Sequence, residues 1–82
     1  MFVHIGEETL IRAGDIIAII DRESAAASSV LAEFLSRREE EIINLSKSQY
    51  KSIVITDKQI FYSPLAAGTL KKRSRKLTVQ EF

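Results

Sequence analysis

Cysteine and tryptophan are absent from this sequence, and histidine and proline occur once each. Without cysteine there are no disulfides, iron–sulfur clusters or thiolate zinc sites, a pattern that fits a reducing compartment. With a single histidine, His4, any histidine-dependent triad must use that residue. It stands in an apolar segment with no acidic partner nearby in sequence, which predicts a structural role. A metal bound by one histidine needs several carboxylates to converge on it. Glu39, Glu40 and Glu41 are consecutive, so on a helix they splay around the axis rather than converge. The three glycines are isolated and make neither a P-loop nor a dinucleotide fingerprint. Ser24, Ser28, Ser29 and Ser63 have no local base to activate them. These absences predict a protein that is not an enzyme and takes no cofactor. Apolar runs fall far short of the roughly 18–20 residues of a membrane span. The first six residues also lack the basic and apolar regions of a secretory signal. A soluble cytoplasmic protein is expected.

What is present is a divided charge. The net charge is +1 over 82 residues. Residues 1–46 carry four arginines against nine carboxylates, a balance of −5, whereas residues 47–82 carry eight cations against two carboxylates, a balance of +6. Such a division presents a basic surface to an anionic partner, or lets acidic and basic halves of neighbouring copies pack together. A chain of this size makes one domain with a marginal core, and small domains without disulfides or metals often gain stability by oligomerising.

The hydropathy pattern predicts an α+β domain. Phe2–Ile5 and Thr9–Arg12 read as a hairpin around Gly6-Glu7-Glu8. Ile16–Ile20 is an unbroken apolar run rich in β-branched residues. It predicts a strand covered on both faces, the second cover being supplied by another subunit. One central helix follows, capped by Ser24 or Ser28, with Val30, Leu31, Phe34 and Leu35 as its apolar stripe. Glu33 and Arg37 are spaced to support that helix, and the charges of Arg37–Glu41 form its solvated exit. Ile42–Leu45, Lys51–Thr56 and Gln59–Ser63 read as further short strands, the last two forming a hairpin, and Pro64 ends the ladder. A short C-terminal helix is expected from Leu65 to about Arg73. Residues 1–75 make the single domain, and 76–82 a flexible tail.

Phosphate contacts need Lys and Arg gathered on one surface. Lys47 and Lys51 flank a polar stretch in which Ser46, Ser48, Gln49 and Tyr50 offer neutral donors. Lys71, Lys72, Arg73, Arg75 and Lys76 form a denser block with no acid inside it, a pattern that more often marks a solvated terminus. Tyr50 and Tyr62 are either base-stacking residues or half-core residues.

Several segments together resemble the RemA/RemB group of bacterial extracellular matrix regulators, closest to the RemB branch. They are Ile5-Gly6, Asp15–Asp21, Glu33-Phe34-Leu35, Lys51–Thr56, Tyr62-Ser63-Pro64-Leu65 and Thr69–Arg73, spanning about residues 2–75. The resemblance implies a DNA-binding transcriptional regulator of biofilm matrix genes, built as a ring-shaped homo-oligomer with DNA-contacting residues on its outer surface. Its partners would be double-stranded DNA, further copies of itself and a related regulator, with no membrane. In the RemA branch an arginine-rich loop precedes the strand that matches Ser52–Thr56. Here Lys51 occupies its last basic position, and Ser48, Gln49 and Tyr50 are not cationic. The DNA-binding set is therefore Lys47, Lys51, Lys71, Lys72, Arg73 and Arg75. With so few cations per chain, a ring that repeats them supplies avidity a monomer lacks. Its heterologous contacts would draw on Ile16–Ile20, the Val30/Leu31/Phe34/Leu35 stripe and the divided charge. Two alternatives stay open: an oligomeric protein-interaction module of the same pathway that never touches DNA, and an RNA-binding module that stacks bases on Phe61 and Tyr62.

Overall fold

A computed structural model describes residues 1–78, with side chains through Ser74. The chain opens with the expected hairpin, β1 (Phe2–Gly6) antiparallel to β2 (Thr9–Arg12). Val3 and Ile5 are buried while Phe2 and His4 are exposed, so the strand alternates as its pleat requires. The two loop residues, Glu7 and Glu8, have φ of 48° and 60°. A two-residue hairpin needs this left-handed backbone to match the strand twist, and usually obtains it with Asn-Gly.

After a single 3-10 turn at Ala13–Asp15, β3 (Ile16–Asp21) joins a four-stranded sheet with β4 (Ile42–Asn44), β5 (Ser52–Thr56) and β6 (Ile60–Ser63) in the order β3-β5-β6-β4. β3 and β6 run antiparallel to β5, as expected, but β4 runs parallel to β6. The all-antiparallel expectation fails here because the chain leaving β4 passes across the end of β6 and skips a strand before entering β5.

β3 is the expected strand, with an irregularity near its start. Its register with β5 shifts between Ile16 and Ala18, so Ile17 is the extra residue of a bulge and is 65% exposed. Both faces of the strand pack against this same chain, its residues other than Ile17 being half-buried. On one face Ile16 and Ile19 pack with Val3, Ile5, Val54, Phe61 and Leu70. On the other, Ala18 and Ile20 pack with Ile53, Ile55, Ile60 and Ala25. The run is unbroken because the bulge adds a residue to a strand that lies between two layers.

The expected central helix is two helices. Asp21, rather than Ser24, caps α1 (Arg22–Ala26), its carboxylate accepting from the Ser24 N–H at 3.2 Å. Ser28 then caps α2 (Ser29–Arg37), its hydroxyl accepting from the Leu31 N–H at 3.0 Å. A capping residue needs extended backbone, so Ser28 interrupts the helix that it starts. Leu31, Phe34 and Leu35 pack on the sheet, but Val30 is 77% exposed and does not belong to the stripe. The Glu33–Arg37 pair forms on the solvent side at 2.8 Å. Glu39–Glu41 lie in a 3-10 turn rather than on a helix exit. The last helix, α3 (Ala67–Thr78), begins after Leu65 and runs past Arg73. It buries Ala67 and Leu70 and rests on β1 and β3.

The hairpin, the sheet and α3 are tied at one point. The buried Ser63 hydroxyl donates to the Ile5 carbonyl at 2.6 Å and accepts from the Leu65 N–H at 3.0 Å. The Ser52 hydroxyl donates to the Leu65 carbonyl at 2.8 Å. Gly6, at φ 125°, lets Pro64 pass so closely that a Cβ would lie 2.7 Å from its Cδ.

Ser63→Ala leaves the Ile5 carbonyl and Leu65 N–H without that partner, and is expected to cost about 1–3 kcal/mol in urea denaturation. Gly6→Ala should cost more than about 1 kcal/mol by the same measurement, since it combines a left-handed backbone with a clash. Wild-type midpoints for both would contradict the junction. A second expectation concerns acid. Hydrogen bonds from the Ser24 hydroxyl, and then from its N–H, hold the Asp21 pKa below its ordinary 3.8. A lowered folded value stabilises the fold above the unfolded pKa, and this stabilisation is lost as pH falls through the folded value. Asp21→Asn should therefore flatten the stability–pH curve in the window below pH 3.8. A slope there as steep as wild type would contradict the cap.

Candidate nucleic-acid interface

The crossing from β4 to β5 makes a loop over the end of β6, and both feet of that loop are fastened to adjacent residues of β6. Leu45 N–H donates to the Tyr62 carbonyl at 2.9 Å, and Lys51 N–H donates to the Ser63 carbonyl at 2.8 Å. Within the loop, Ser46 N–H donates to the Asn44 side-chain oxygen at 2.8 Å, and Ser48 N–H donates to the Ser46 hydroxyl at 3.3 Å. Tyr50 stacks on Tyr62 with ring centroids 4.5 Å apart. What remains on the outside is Lys47, Ser48, Gln49 and Lys51, all exposed. The loop is therefore shaped before any ligand arrives, which lowers the entropy cost of binding.

A third cation stands at the same end of the sheet. Arg22 N–H donates to the Lys51 carbonyl at 3.0 Å, because β3 ends where β5 begins, with Asp21 opposite Ser52. Sequence reasoning missed Arg22, which lies in the acidic half; only the pairing of Ile16–Asp21 with Ser52–Thr56 could have revealed it. Asp21 adds one carboxylate beside these cations, turned to its capping bond with Ser24.

The tyrosines stack on each other, and both are half-buried. Tyr50 and Tyr62 occupy each other, and burial first, then Tyr50 and Glu39, pushes the Tyr62 hydroxyl pKa above its ordinary 10.0. Phe61 is 5% exposed and belongs to the core. Of the two aromatics in the RNA-binding alternative, Phe61 is thus in the core and Tyr62 is half-buried.

The block on α3 is separate from the loop. Lys71, Lys72 and Arg73 are exposed, and the Arg75 side chain lies outside the described residues. Arg73 donates from Nη1 to the His4 carbonyl at 2.9 Å, so it ties α3 to the hairpin. His4 itself is exposed, and it meets Arg73 through its carbonyl rather than its imidazole. Lys71 borders a groove of about 360 Å³ with Ala13, Ile16, Ile17, Ala18 and Ile19. It therefore lies along β3, with Ala13 before the start of that strand, whereas Lys51 lies at its far end beside Asp21 and Arg22. The structure gathers Lys47, Lys51 and Arg22 and leaves Lys71, Lys72 and Arg73 as a second group.

Among the described residues the ion pairs are Arg37–Glu33 and Arg38–Glu41, and neither uses a lysine. No three His, Cys, Asp or Glu side chains among them converge to hold a metal ion. No helix among them is long and apolar enough to cross a membrane.

Comparison with known proteins fits this arrangement. The RemA-like family model, described as extracellular matrix regulatory protein A-like, matches residues 2–74. Extracellular matrix regulatory protein B of Bacillus subtilis (strain 168) is 36% identical over 75 residues, covering 92% of this chain and 91% of that protein. The family-model match takes in both sheets, α1, α2, the loop before β5 and α3 as far as Ser74. On these grounds the chain belongs to the RemA-like family of extracellular matrix regulatory proteins.

Proposed function

We propose that this protein regulates extracellular matrix (biofilm) genes by binding double-stranded DNA in the cytoplasm as a homo-oligomer. The contacts are to the phosphate backbone. The observation that carries this reading is the fastened loop over β6, which presents Lys47 and Lys51, with Arg22 beside them, at one end of the sheet. None of the three takes part in an ion pair among the described residues. Cations held in this way on a fixed loop suit phosphate, since neutralising it releases condensed counterions and needs no base to be read. The exposed Ser48 and Gln49 side chains add neutral donors to the same surface.

Three cations are few for one chain. A closed assembly repeats them at fixed spacing, and simultaneous engagement multiplies weak sites into useful affinity. The ring proposed for this protein would meet that need, as the family resemblance implies. The Lys71–Arg73 group plays a smaller part in DNA contact, because Arg73 is engaged with His4 and Lys71 borders an apolar groove.

Lys51→Glu is expected to weaken duplex binding at least about tenfold in fluorescence anisotropy. It should also make the salt dependence shallower, by roughly 0.9 in log–log slope for each phosphate no longer neutralised. Lys51 is exposed and its backbone bonds do not involve its side chain, so thermal stability should stay near wild type. Unchanged affinity and unchanged slope would remove the loop from the DNA surface.

A further inference from the structure

Between α2 and the β4 edge of the sheet lies a groove of about 480 Å³. It is lined by Ala32, Leu35 and Ser36 of α2, Glu39 of the 3-10 turn, Ile42 of β4 and Tyr62 of β6. Ile42 and Tyr62 emerge on the face of the sheet that α2 covers, where both join the cluster that includes Leu35. The lining divides by chemistry. Ala32, Leu35 and Ile42 make an apolar wall, and Ser36, Glu39 and Tyr62 bring three oxygen-bearing groups, each able to accept a hydrogen bond. No lysine or arginine lines the groove, and of the three acids in the turn Glu39–Glu41 only Glu39 does. The arginines that precede it in sequence are engaged elsewhere, Arg37 with Glu33, and Arg38 with Glu41 and the Asp57 carbonyl. Glu39 takes part in no ion pair among the described residues. Its charge reaches Tyr62, where it adds to burial and to Tyr50 in raising the hydroxyl pKa.

We propose that this groove binds a short aliphatic primary amine. The ammonium group donates to the Glu39 carboxylate and to the Ser36 and Tyr62 hydroxyls, and the hydrocarbon tail lies along Ala32, Leu35 and Ile42. An ammonium has three N–H donors and no acceptor, which matches three acceptors around one charge. A carboxylate ligand would meet Glu39 with like charge, and a neutral alcohol would leave that charge uncompensated. A bare inorganic cation would make no use of the apolar wall, whose burial adds about 0.8 kcal/mol for each methylene taken out of water. The site requires neither duplex nor a second copy of the chain, and Lys47, Lys51 and Arg22 do not line it.

The probe is butylamine at neutral pH and constant ionic strength, added to the full chain and followed by tyrosine fluorescence. The chain has two tyrosines and no tryptophan, and these tyrosines stack on each other at the groove, so the emission reports on this place. A saturable change is expected, with the amide NMR signals of Ser36, Glu39 and Ile42 shifting at the same midpoint. Butanol carries the tail without the charge, and ammonium chloride the charge without the tail. Each should bind more weakly than butylamine. Glu39→Gln keeps the size of the side chain and removes its charge, and should raise Kd roughly three- to tenfold. Glu40→Gln removes the same charge one residue outside the groove and should leave Kd unchanged. Glu39 and Glu40 are both exposed, so circular dichroism should show the wild-type fold in either variant. The assignment is overturned if butylamine gives no saturable change, or if butanol or ammonium chloride binds as well. Equal losses in the two variants, or NMR shifts confined to residues away from the groove, would overturn it too.

Discussion

The Ser63 hydroxyl sits where the hairpin, the sheet and the last helix meet, with no access to solvent, and its hydrogen bonds decide how these parts are placed. A buried hydroxyl without partners is costly, so Ser63 constrains its surroundings as much as it is held by them. The Ile5 carbonyl must come to it, which draws the end of β1 against β6. That approach requires Gly6, since any side chain there meets Pro64. Leu65 must also turn back, giving its N–H to Ser63 and its carbonyl to Ser52. With the end of β6 fixed in this way, the Ser63 carbonyl is available to Lys51 N–H. The geometry of the cationic loop is thus set by a polar junction inside the domain.

Under the proposed function, the same arrangement lets few charged residues serve a nucleic-acid surface. Lys47 and Lys51 lie on a loop fastened at both feet, and Arg22 is brought in by the meeting of β3 and β5. Rigidity raises what each cation contributes, because little freedom remains to be given up when phosphate binds. Repetition raises it further, provided the copies hold their loops at a spacing the duplex can meet. The proposed function thus depends on an assembly, and the shape of each loop on the monomer fold.

Much of the fold was legible in the sequence. The hairpin, the run Ile16–Ile20 and the strand Ser52–Thr56 were marked by β-branched residues and turn breaks, and Ser28 announced its cap. Other features depended on contacts that no local pattern records. Ile16–Ile20 does not reveal which of its residues bulges, because all five are apolar. Ile42–Asn44 carries no sign of parallel pairing, which arises from the loop crossing over β6. Ser24 and Asp21 are both good caps, and only the end of β3 decides between them. For the candidate site, Lys47 and Lys51 were visible as a polar basic stretch, and the KKR block was visible as charge. That Arg22 joins the first and that Arg73 is bound to the His4 carbonyl are consequences of topology.

If several copies present the loop over β6 to one duplex, as proposed, the salt dependence of wild-type binding reveals it. At roughly 0.9 in log–log slope for each phosphate neutralised, one chain contributing Lys47, Lys51 and Arg22 accounts for a slope of about −3, and with the Lys71–Arg73 group about −5 at most. Measuring duplex affinity by fluorescence anisotropy from low to physiological salt should give a slope clearly steeper than this. A slope no steeper than one chain supplies, or affinity indifferent to salt, would contradict it.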